Sequence, residues 1–590
     1  MPSAKFILGI SCYYHDSSAA LLKDGKIVAA VQEERFTRKK HDISFPINAI
    51  NYCLKSQNIT VKEIDYIGFY EKPLLKLERI LHQHLEMFPF SYKTFLSSLP
   101  SWFNEKLRVV KTIKNKLKYK KDVLFVEHHL AHAASSFLPS PFKQAAILTV
   151  DGVGEWTTTA YGIGKDKDLK LLKEIIFPSS LGLLYSTITA YLGFKVNNSE
   201  YKVMGLAAYG DMDKKTNQYY EKLKKVLDIK EDGSYRFDME YFDYHFKNRM
   251  PSKKICNLLD GPIRKPESEI IKRHKDIAAA LQLIIEEVMT KMLIHINKIT
   301  KSDNLVLAGG VALNSVYNGK ILKNTGFKKI WIQPDPGDGG TSIGVALYIY
   351  NSILRNKRVY QLKDAFLGPE FSIKEIKSFL DENKIKYSIF KNTKDLLKTT
   401  SSLIHNNNVI GWFQKGMEWG PRALGARSIL SNATNQKMKE ILNLKVKHRE
   451  KFRPFAPVVC EDDAHKYFEQ DSPTPESTDF MLMVYPIKKK WHKKIPSVTH
   501  VDGSGRLQTI RRNQNTLYYD LIKEFGKLSG IPILINTSFN IRGEPIVCTP
   551  YDAYKCMMGT EIDYLIIDKF LIKRKHNPQH IWDSEKYAKD

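Results

Sequence analysis

Three histidines fall within five positions in the stretch VEHHLAHAASSF, residues 126–137. In a helix, His128 and His132 stand at i and i+4, so their rings share one face while His129 points elsewhere. Two imidazoles at that spacing make half of a metal site, which a carboxylate from a distant segment would complete. The plainer alternative is an alanine-rich buried helix that tolerates imidazoles, and nothing inside the stretch decides between the two. A second candidate is the polar loop YYHDSS, residues 13–18. There His15 could serve as a general base oriented by Asp16, or the pair could belong to an Asx turn. A third is DGVGEW, residues 151–156, where Asp151 and, less directly, Glu155 could face a metal or phosphates.

The C-terminal third carries a different chemistry. Arg422, Arg427, Lys445, Lys447, Arg449, Arg453, Arg506, Arg511, Arg512 and Arg542 lie beside glycines, prolines and apolar runs, and KVKHREKFRPF (445–455) is the densest cluster. A guanidinium fork donates two parallel hydrogen bonds to carboxylate or phosphate, so the cluster reads as an anion site. Individual arginines could instead pair with Glu418, Glu450 or Glu544.

Four elements must position these groups. KFILGISCYYHDSSAALLKDGKIVAAVQEERF reads as strand, turn, strand, with Lys-Asp-Gly marking the next turn. AAILTVDGVGEWTTTAYGIG (145–164) repeats that logic, which suggests an internal duplication. NLVLAGGVALNSVYNG (304–319) and IWIQPDPGDGGTSIGVALYIY (330–350) each run from a strand through a glycine turn. Such turns offer backbone N–H groups to phosphates and let a nucleoside approach closely. In this order they resemble the actin-like, sugar-kinase-like ATPase fold. There is no Walker A sequence and no dinucleotide-binding glycine fingerprint.

At 590 residues the chain is too long for one core. The expected division is 1–352, a linker 353–370 ending at the Gly368-Pro369 turn, and 371–590. The net charge of +27 comes largely from lysine runs such as KTIKNKLKYKK, with no nucleic-acid motif beside them, so a solvated basic surface is expected rather than a nucleic-acid partner. Six cysteines without a C-x-x-C pair suit a reducing cytoplasm. The N-terminal residues lack the apolar core of a signal peptide. The most apolar helix candidate, 276–296, is interrupted by Glu286, Glu287 and Lys291 and is expected to pack on a core, not to span a membrane.

GISCYYHDSSAALL, EERFTRKKH, HHLAHAASSF, MGLAAYG, GGVALNSVYNGK, GWFQKGMEWGPRALGARSIL, RPFAPVV and NTSFNIRGEPIV resemble, in order and over nearly the whole chain, the O-carbamoyltransferase family of the NodU/CmcH type. The resemblance implies an α/β N-terminal module of the duplicated actin-like fold, similar to tRNA threonylcarbamoyl transferases, and a smaller α+β C-terminal module similar to YrdC. It implies an ATP-dependent O-carbamoyltransferase that forms carbamoyl adenylate from carbamoyl phosphate and ATP, then carbamoylates a hydroxyl of a small molecule or sugar. The alternatives are a tRNA-modifying carbamoyl-type transferase and a non-catalytic nucleotide-binding protein. By match to the family motifs, Asp338 in GDGGTSIG joins His128, His132 and Asp151 as a metal ligand. His15 and Asp16 act near the transferred group, and Lys202, Gly309, Gly310, Asn314 and Asn318 contact the nucleotide. Arg422, Lys447, Arg449, Arg453, Arg506, Asn536 and Thr537 form the activation site. The analogy favours ferrous iron, with magnesium serving ATP. A homo-oligomer is compatible with all of this.

Overall fold

The structure is a computed structural model that describes residues 5–247, 249–450 and 452–577. The chain folds as two compact units. The first comprises the chain up to residue 33, 41–314 and 321–362; the second comprises 34–40, 315–320 and the chain from 363 onward.

The first unit is built on two five-stranded sheets of one topology. In the first, the spatial order is Lys26–Gln32, Ser18–Lys23, Phe6–Ser11, Ile64–Phe69, Val123–Phe125. The first three strands are an antiparallel meander, and the last two are added parallel. In the second sheet the order is Asp168–Ile176, Thr157–Lys165, Gln144–Val150, Asn304–Ala308, Lys329–Trp331. Again an antiparallel meander of three is extended by two parallel strands. The duplication suggested by the two hairpins is therefore present in strand order and direction, and it gives the duplicated α/β architecture of the actin-like class. The central strands Phe6–Ser11 and Gln144–Val150 are apolar on nearly every residue because elements cover both sheet faces. The meander turn at Asp24 and Gly25 has both residues at positive φ (50° and 79°), which suits the twist of a two-residue hairpin. The apolar run anticipated at 276–296 is a helix, Lys272–Thr300, buried along one side.

The glycines of this unit matter where backbones touch. Helix Thr341–Tyr348 lies against strand Phe6–Ser11 and helix His128–Phe137. A Cβ on Gly9 would stand 1.9 Å from the Ser342 carbonyl oxygen, and one on Gly344 would stand 2.0 Å from that of Ala131. Only hydrogen fits at either position.

The second unit carries a nine-stranded mixed sheet, ordered Tyr387–Ile389, Phe570–Lys573, Tyr564–Ile567, Ile410–Phe413, Arg427–Asn432, Ile533–Ser538, Ala456–Cys460, Ser504–Ile510, Met483–Pro486. Helices Thr393–His405 and Thr516–Ser529 pack together, and their Leu396, Ile404, Leu521, Ile522 and Phe525 enclose a core with Trp412, Leu430, Val458 and Ile566. Segment 34–40 belongs to this unit: Arg35 donates to the Gly420 carbonyl (2.8 Å) and Arg38 to that of Ile546 (2.7 Å).

His500 is expected to make the second unit acid-sensitive. Burial, reinforced by Arg506 and Lys439, lowers its pKa to about 4 from the ordinary 6.5. A depressed folded-state pKa contributes stability that is full above 6.5 and lost as pH falls towards 4, by about 1.4 kcal/mol per pH unit at the steepest. The urea midpoint of the second unit should therefore fall between pH 7 and 5, and His500→Phe should flatten that fall. An equal fall in both proteins would show that His500 is not its source.

Candidate active site

Helix His128–Phe137 follows strand Val123–Phe125, and its start is set by Glu155. Both Glu155 carboxylate oxygens accept from the His128 backbone N–H (3.1 Å each), and one also accepts from that of Lys72 (2.8 Å). A carboxylate on the first free N–H groups of a helix opposes the helix dipole. Glu155 is thus a helix cap, not a group facing a metal.

From that start, the two ring nitrogens converge. His128 Nε2 and His132 Nε2 are 3.1 Å apart. Asp338 Oδ1 lies 3.6 Å from the first and 3.4 Å from the second, and Asp151 Oδ2 lies 3.4 Å from His128 Nε2. All four residues are buried. His129 points away, with its Nδ1 on Thr149 Oγ1 at 2.7 Å.

Each carboxylate is brought here by its own element. Asp151 directly follows strand Gln144–Val150, and its Oδ1 accepts from the Gly310 N–H (2.7 Å). Gly309, at φ 89°, packs where a Cβ would come within 2.2 Å of the Val150 carbonyl. Asp338 begins the turn into helix Thr341–Tyr348. Ser18, from the first hairpin, ties that turn down through its Oγ, which donates to the Gly339 carbonyl (2.7 Å).

The first hairpin loop adds His15. Its Nδ1 is 3.0 Å from Asp16 Oδ2 and its Nε2 is 3.6 Å from Asp338 Oδ2. Tyr13 (φ 74°) and Asp16 (φ 53°) both hold the left-handed backbone region, which is costly for a side chain as large as tyrosine and points to a functional constraint. His41 completes the loop, with Nδ1 on Asp16 Oδ1 (2.7 Å) and Nε2 on Asn198 Oδ1 (3.0 Å). His41 was not assigned from the sequence, although it closes the EERFTRKKH motif. Tyr70 was also missed: it lies buried with its ring edge-on to His128 at 5.4 Å.

The charges test whether a cation fits. Burial disfavours the charged imidazoles, yet Asp338, Asp16 and Asp151 outweigh it and raise the His15 pKa to about 10. Burial likewise opposes charge on His128, and Asp338 and Asp151 raise its pKa to about 9. Burial pushes the Asp338 carboxyl up, while His15 and His128 hold it below the usual range. Two buried carboxylates demand positive charge, which protons on His15 and His128 supply. Both Asp338 oxygens lack a hydrogen-bond donor, and the nearest ligand atoms of the four residues lie within 4.8 Å of one another. Two imidazoles and two carboxylates with that spacing could hold a divalent cation.

The remaining candidates separate. Asn314 exchanges amide hydrogen bonds with Gln282 on helix Lys272–Thr300 (3.0 and 3.2 Å). Asn318 belongs to the second unit, where its Nδ2 donates to the Leu482 carbonyl (3.0 Å). Lys202 is buried with its ammonium over the Phe194 ring at 5.5 Å, not solvated.

In the second unit, several assigned groups gather at the C-terminal end of strand Ile533–Ser538. Asn536 Nδ2 donates to the Ala423 carbonyl (3.0 Å), next to Arg422, and to Gln508 Oε1 (2.6 Å), two residues from Arg506. Thr537 is half-buried opposite Ile429. The Lys447 ammonium is buried against Ser538 and Asn540, within 2.9 Å of the Asn540 carbonyl and 2.8 Å of its Oδ1, so it clips the chain that follows the strand. Burial, then Arg449, holds its pKa well below the usual lysine value. Arg449 donates to Asn443 Oδ1 (2.7 Å) and stacks over Phe455. Arg453 and Arg542 approach Glu450 at 3.7 and 3.6 Å. Arg427 donates to the carbonyls of Gln414 and Pro369, and Arg511 pairs with Asp479 and Glu461. These last two brace the fold.

Comparison with known proteins matches both halves. Residues 6–347 match the family model described as carbamoyltransferase N-terminus, and 401–574 match carbamoyltransferase C-terminus. An uncharacterized protein of Synechocystis is 45% identical over 98% of this chain and 98% of its own length. The nodulation protein NolNO of Sinorhizobium fredii is 35% identical over 97% of this chain and 80% of its own length. Among solved structures, component A of the Acidaminococcus fermentans 2-hydroxyglutaryl-CoA dehydratase covers 58% of this chain and is itself covered over 97%, at 14% identity and TM-score 0.33. Since the two family models between them run from the first strand to the last, the chain belongs to the carbamoyltransferase family and is an enzyme of carbamoyl transfer.

Proposed function

We propose that the protein is an ATP-dependent O-carbamoyltransferase in which the second unit activates the carbamoyl group and the first transfers it to a hydroxyl of a small molecule or sugar. The observation that carries this reading is the convergence of His128, His132, Asp151 and Asp338 within a chain of the carbamoyltransferase family.

Stoichiometry sets the first half-reaction. Carbamoyl phosphate gives up phosphate to water, the carbamate oxygen attacks the α-phosphorus of ATP, and pyrophosphate leaves. The anions involved call for fixed positive charge and N–H donors, which act mainly by electrostatic stabilisation. Arg422, Arg449, Arg453 and Arg506 are the side chains suited to this work. Lys447, Asn536 and Thr537 would shape the strand end that presents them.

In the second half-reaction, the acceptor oxygen attacks the carbamoyl carbon, the C–O bond to AMP breaks, and the hydroxyl proton must leave. His15 would accept that proton at Nε2 once a bound cation offsets Asp338 and Asp151 and so lowers its pKa from about 10, with Asp16 and His41 fixing its ring. His128, His132, Asp151 and Asp338 would hold a divalent cation. Such a cation would polarise the carbamoyl oxygen and offset charge on the leaving group. The Gly309-Gly310 turn beside Asp151 would receive the nucleotide backbone-first.

Incubation with ATP and carbamoyl phosphate should release pyrophosphate and phosphate in equal amounts. Absence of pyrophosphate in protein loaded with ferrous iron and supplied with magnesium would refute this reading.

A further inference from the structure

Segment 73–104 folds as two helices, Pro73–Glu86 and Tyr92–Asn104, and the first of them is inside out. Its buried residues include Lys76, Arg79 and His84, while four of its five leucines are exposed. The inward side serves the site: Lys76 pairs with Glu71 at 2.5 Å and lies over the Tyr14 ring, and Arg79 donates to the Glu155 carbonyl. The outward side carries Leu74, Leu75, Leu81 and Leu85, interspersed with Glu78, His82 and Glu86. Among the described residues, 25 large apolar side chains are exposed, and nine of them fall between residues 74 and 103. Leu74 is 74% exposed, Leu85 76%, Phe88 68% and Phe90 75%. Scattered exposed leucines need no explanation, but a concentration of this kind marks an interaction surface.

Charge selects the occupant. Residues 73–121 hold eleven Lys and Arg against three Glu. Lys93, Arg108, Lys111, Lys116, Lys118 and Lys120 are exposed, on or just after the apolar helices. Two copies of a chain with net charge +27 would bring these cations face to face, which opposes self-association. An anionic lipid surface satisfies both features: acyl chains receive the leucines and phenylalanines, and headgroup phosphates receive the lysines. No helix among the described residues is long and apolar enough to cross a membrane, so the contact would be interfacial. We propose that helices Pro73–Glu86 and Tyr92–Asn104, with the basic helix Val109–Leu117, form a docking face for an anionic lipid bilayer, which seats the first unit at a membrane surface.

The test is co-sedimentation of the full-length protein with vesicles of phosphatidylcholine alone or mixed equally with phosphatidylglycerol, at low and high salt. Binding to the anionic vesicles, weakened by salt and much weaker on phosphatidylcholine alone, is the expected result. Removing three apolar side chains by Leu85→Ser, Phe88→Ser and Phe90→Ser should weaken partition about tenfold or more. A second variant, Lys93→Glu, Lys111→Glu and Lys118→Glu, should also lose anionic binding and keeps the test alive if the first misfolds. Absence of binding by the wild-type protein would overturn the proposal, as would equal binding by both well-folded variants. So would a wild-type dimer in light scattering that the serine variant converts to monomer, since the face would then join two copies of the chain.

Discussion

Asp338→Asn is expected to weaken divalent-metal binding and carbamoyl transfer by roughly a hundredfold or more, because it deletes the anionic ligand between two convergent imidazoles. The substitution keeps the side chain's shape, so packing of the turn at residues 338–340 should survive. The charge does not survive, and His15, His128 and His132 then face an amide where a carboxylate stood 3.4 to 3.6 Å away. Pyrophosphate release should stay within about twofold of wild type, because the proposed reading assigns that step to the second unit. Metal content, acceptor carbamoylation and pyrophosphate release, measured on the same preparation, separate the possibilities. If transfer and pyrophosphate release fall together while the melting curve is unchanged, the assignment of two half-reactions to two units is wrong. If metal binding is untouched, the four-residue cluster is not the metal site.

The second large effect is expected at Gly344, which makes no contact with the reacting groups. A helix-interior alanine is favoured over glycine by about 1 kcal/mol on propensity alone. Here the added Cβ would meet the Ala131 carbonyl oxygen at 2.0 Å and the Ser135 backbone nitrogen at 2.8 Å, and both are main-chain atoms that cannot rotate aside. Overpacking of this kind costs about 3 kcal/mol, so the clash wins and Gly344→Ala should destabilise the first unit by about 2 kcal/mol. Relief requires helices His128–Phe137 and Thr341–Tyr348 to part, and that movement carries Asp338 away from His132. Metal affinity should therefore drop with stability, while pyrophosphate release persists. A variant that unfolds at or above the wild-type urea concentration would mean that the two helices separate at little cost.

Much of this was legible from local pattern, because local pattern is what a sequence encodes directly. The i, i+4 spacing of His128 and His132 fixes a shared helix face wherever the helix lies. The alternation of apolar strands with Asp-Gly and Gly-Gly turns marked both hairpins and the strand-to-turn elements that carry Asp151, Gly309 and Asp338. Family motifs then supplied the link between those segments. The clustering of basic residues near RPFAPVV was equally visible, although composition alone could not single out arginines such as Arg427 and Arg511 that brace the fold.

Tertiary packing decided the rest. Asp338 is about 200 residues from His132 in sequence, and their meeting depends on glycines that let one helix settle on another, a matter of shape complementarity rather than spacing. Glu155 looked like a site carboxylate, but the fold places it on the N–H groups that open the histidine helix. Asn314 resembled a nucleotide contact, yet its amide is paired with Gln282. Segment 73–104 shows the same dependence on packing. Sequence reading assumes that leucine goes inward and lysine outward. This helix buries Lys76 and Arg79 and exposes four leucines, because its inner face meets Glu71 and the backbone of Glu155, and only the folded structure reveals which side is the inside.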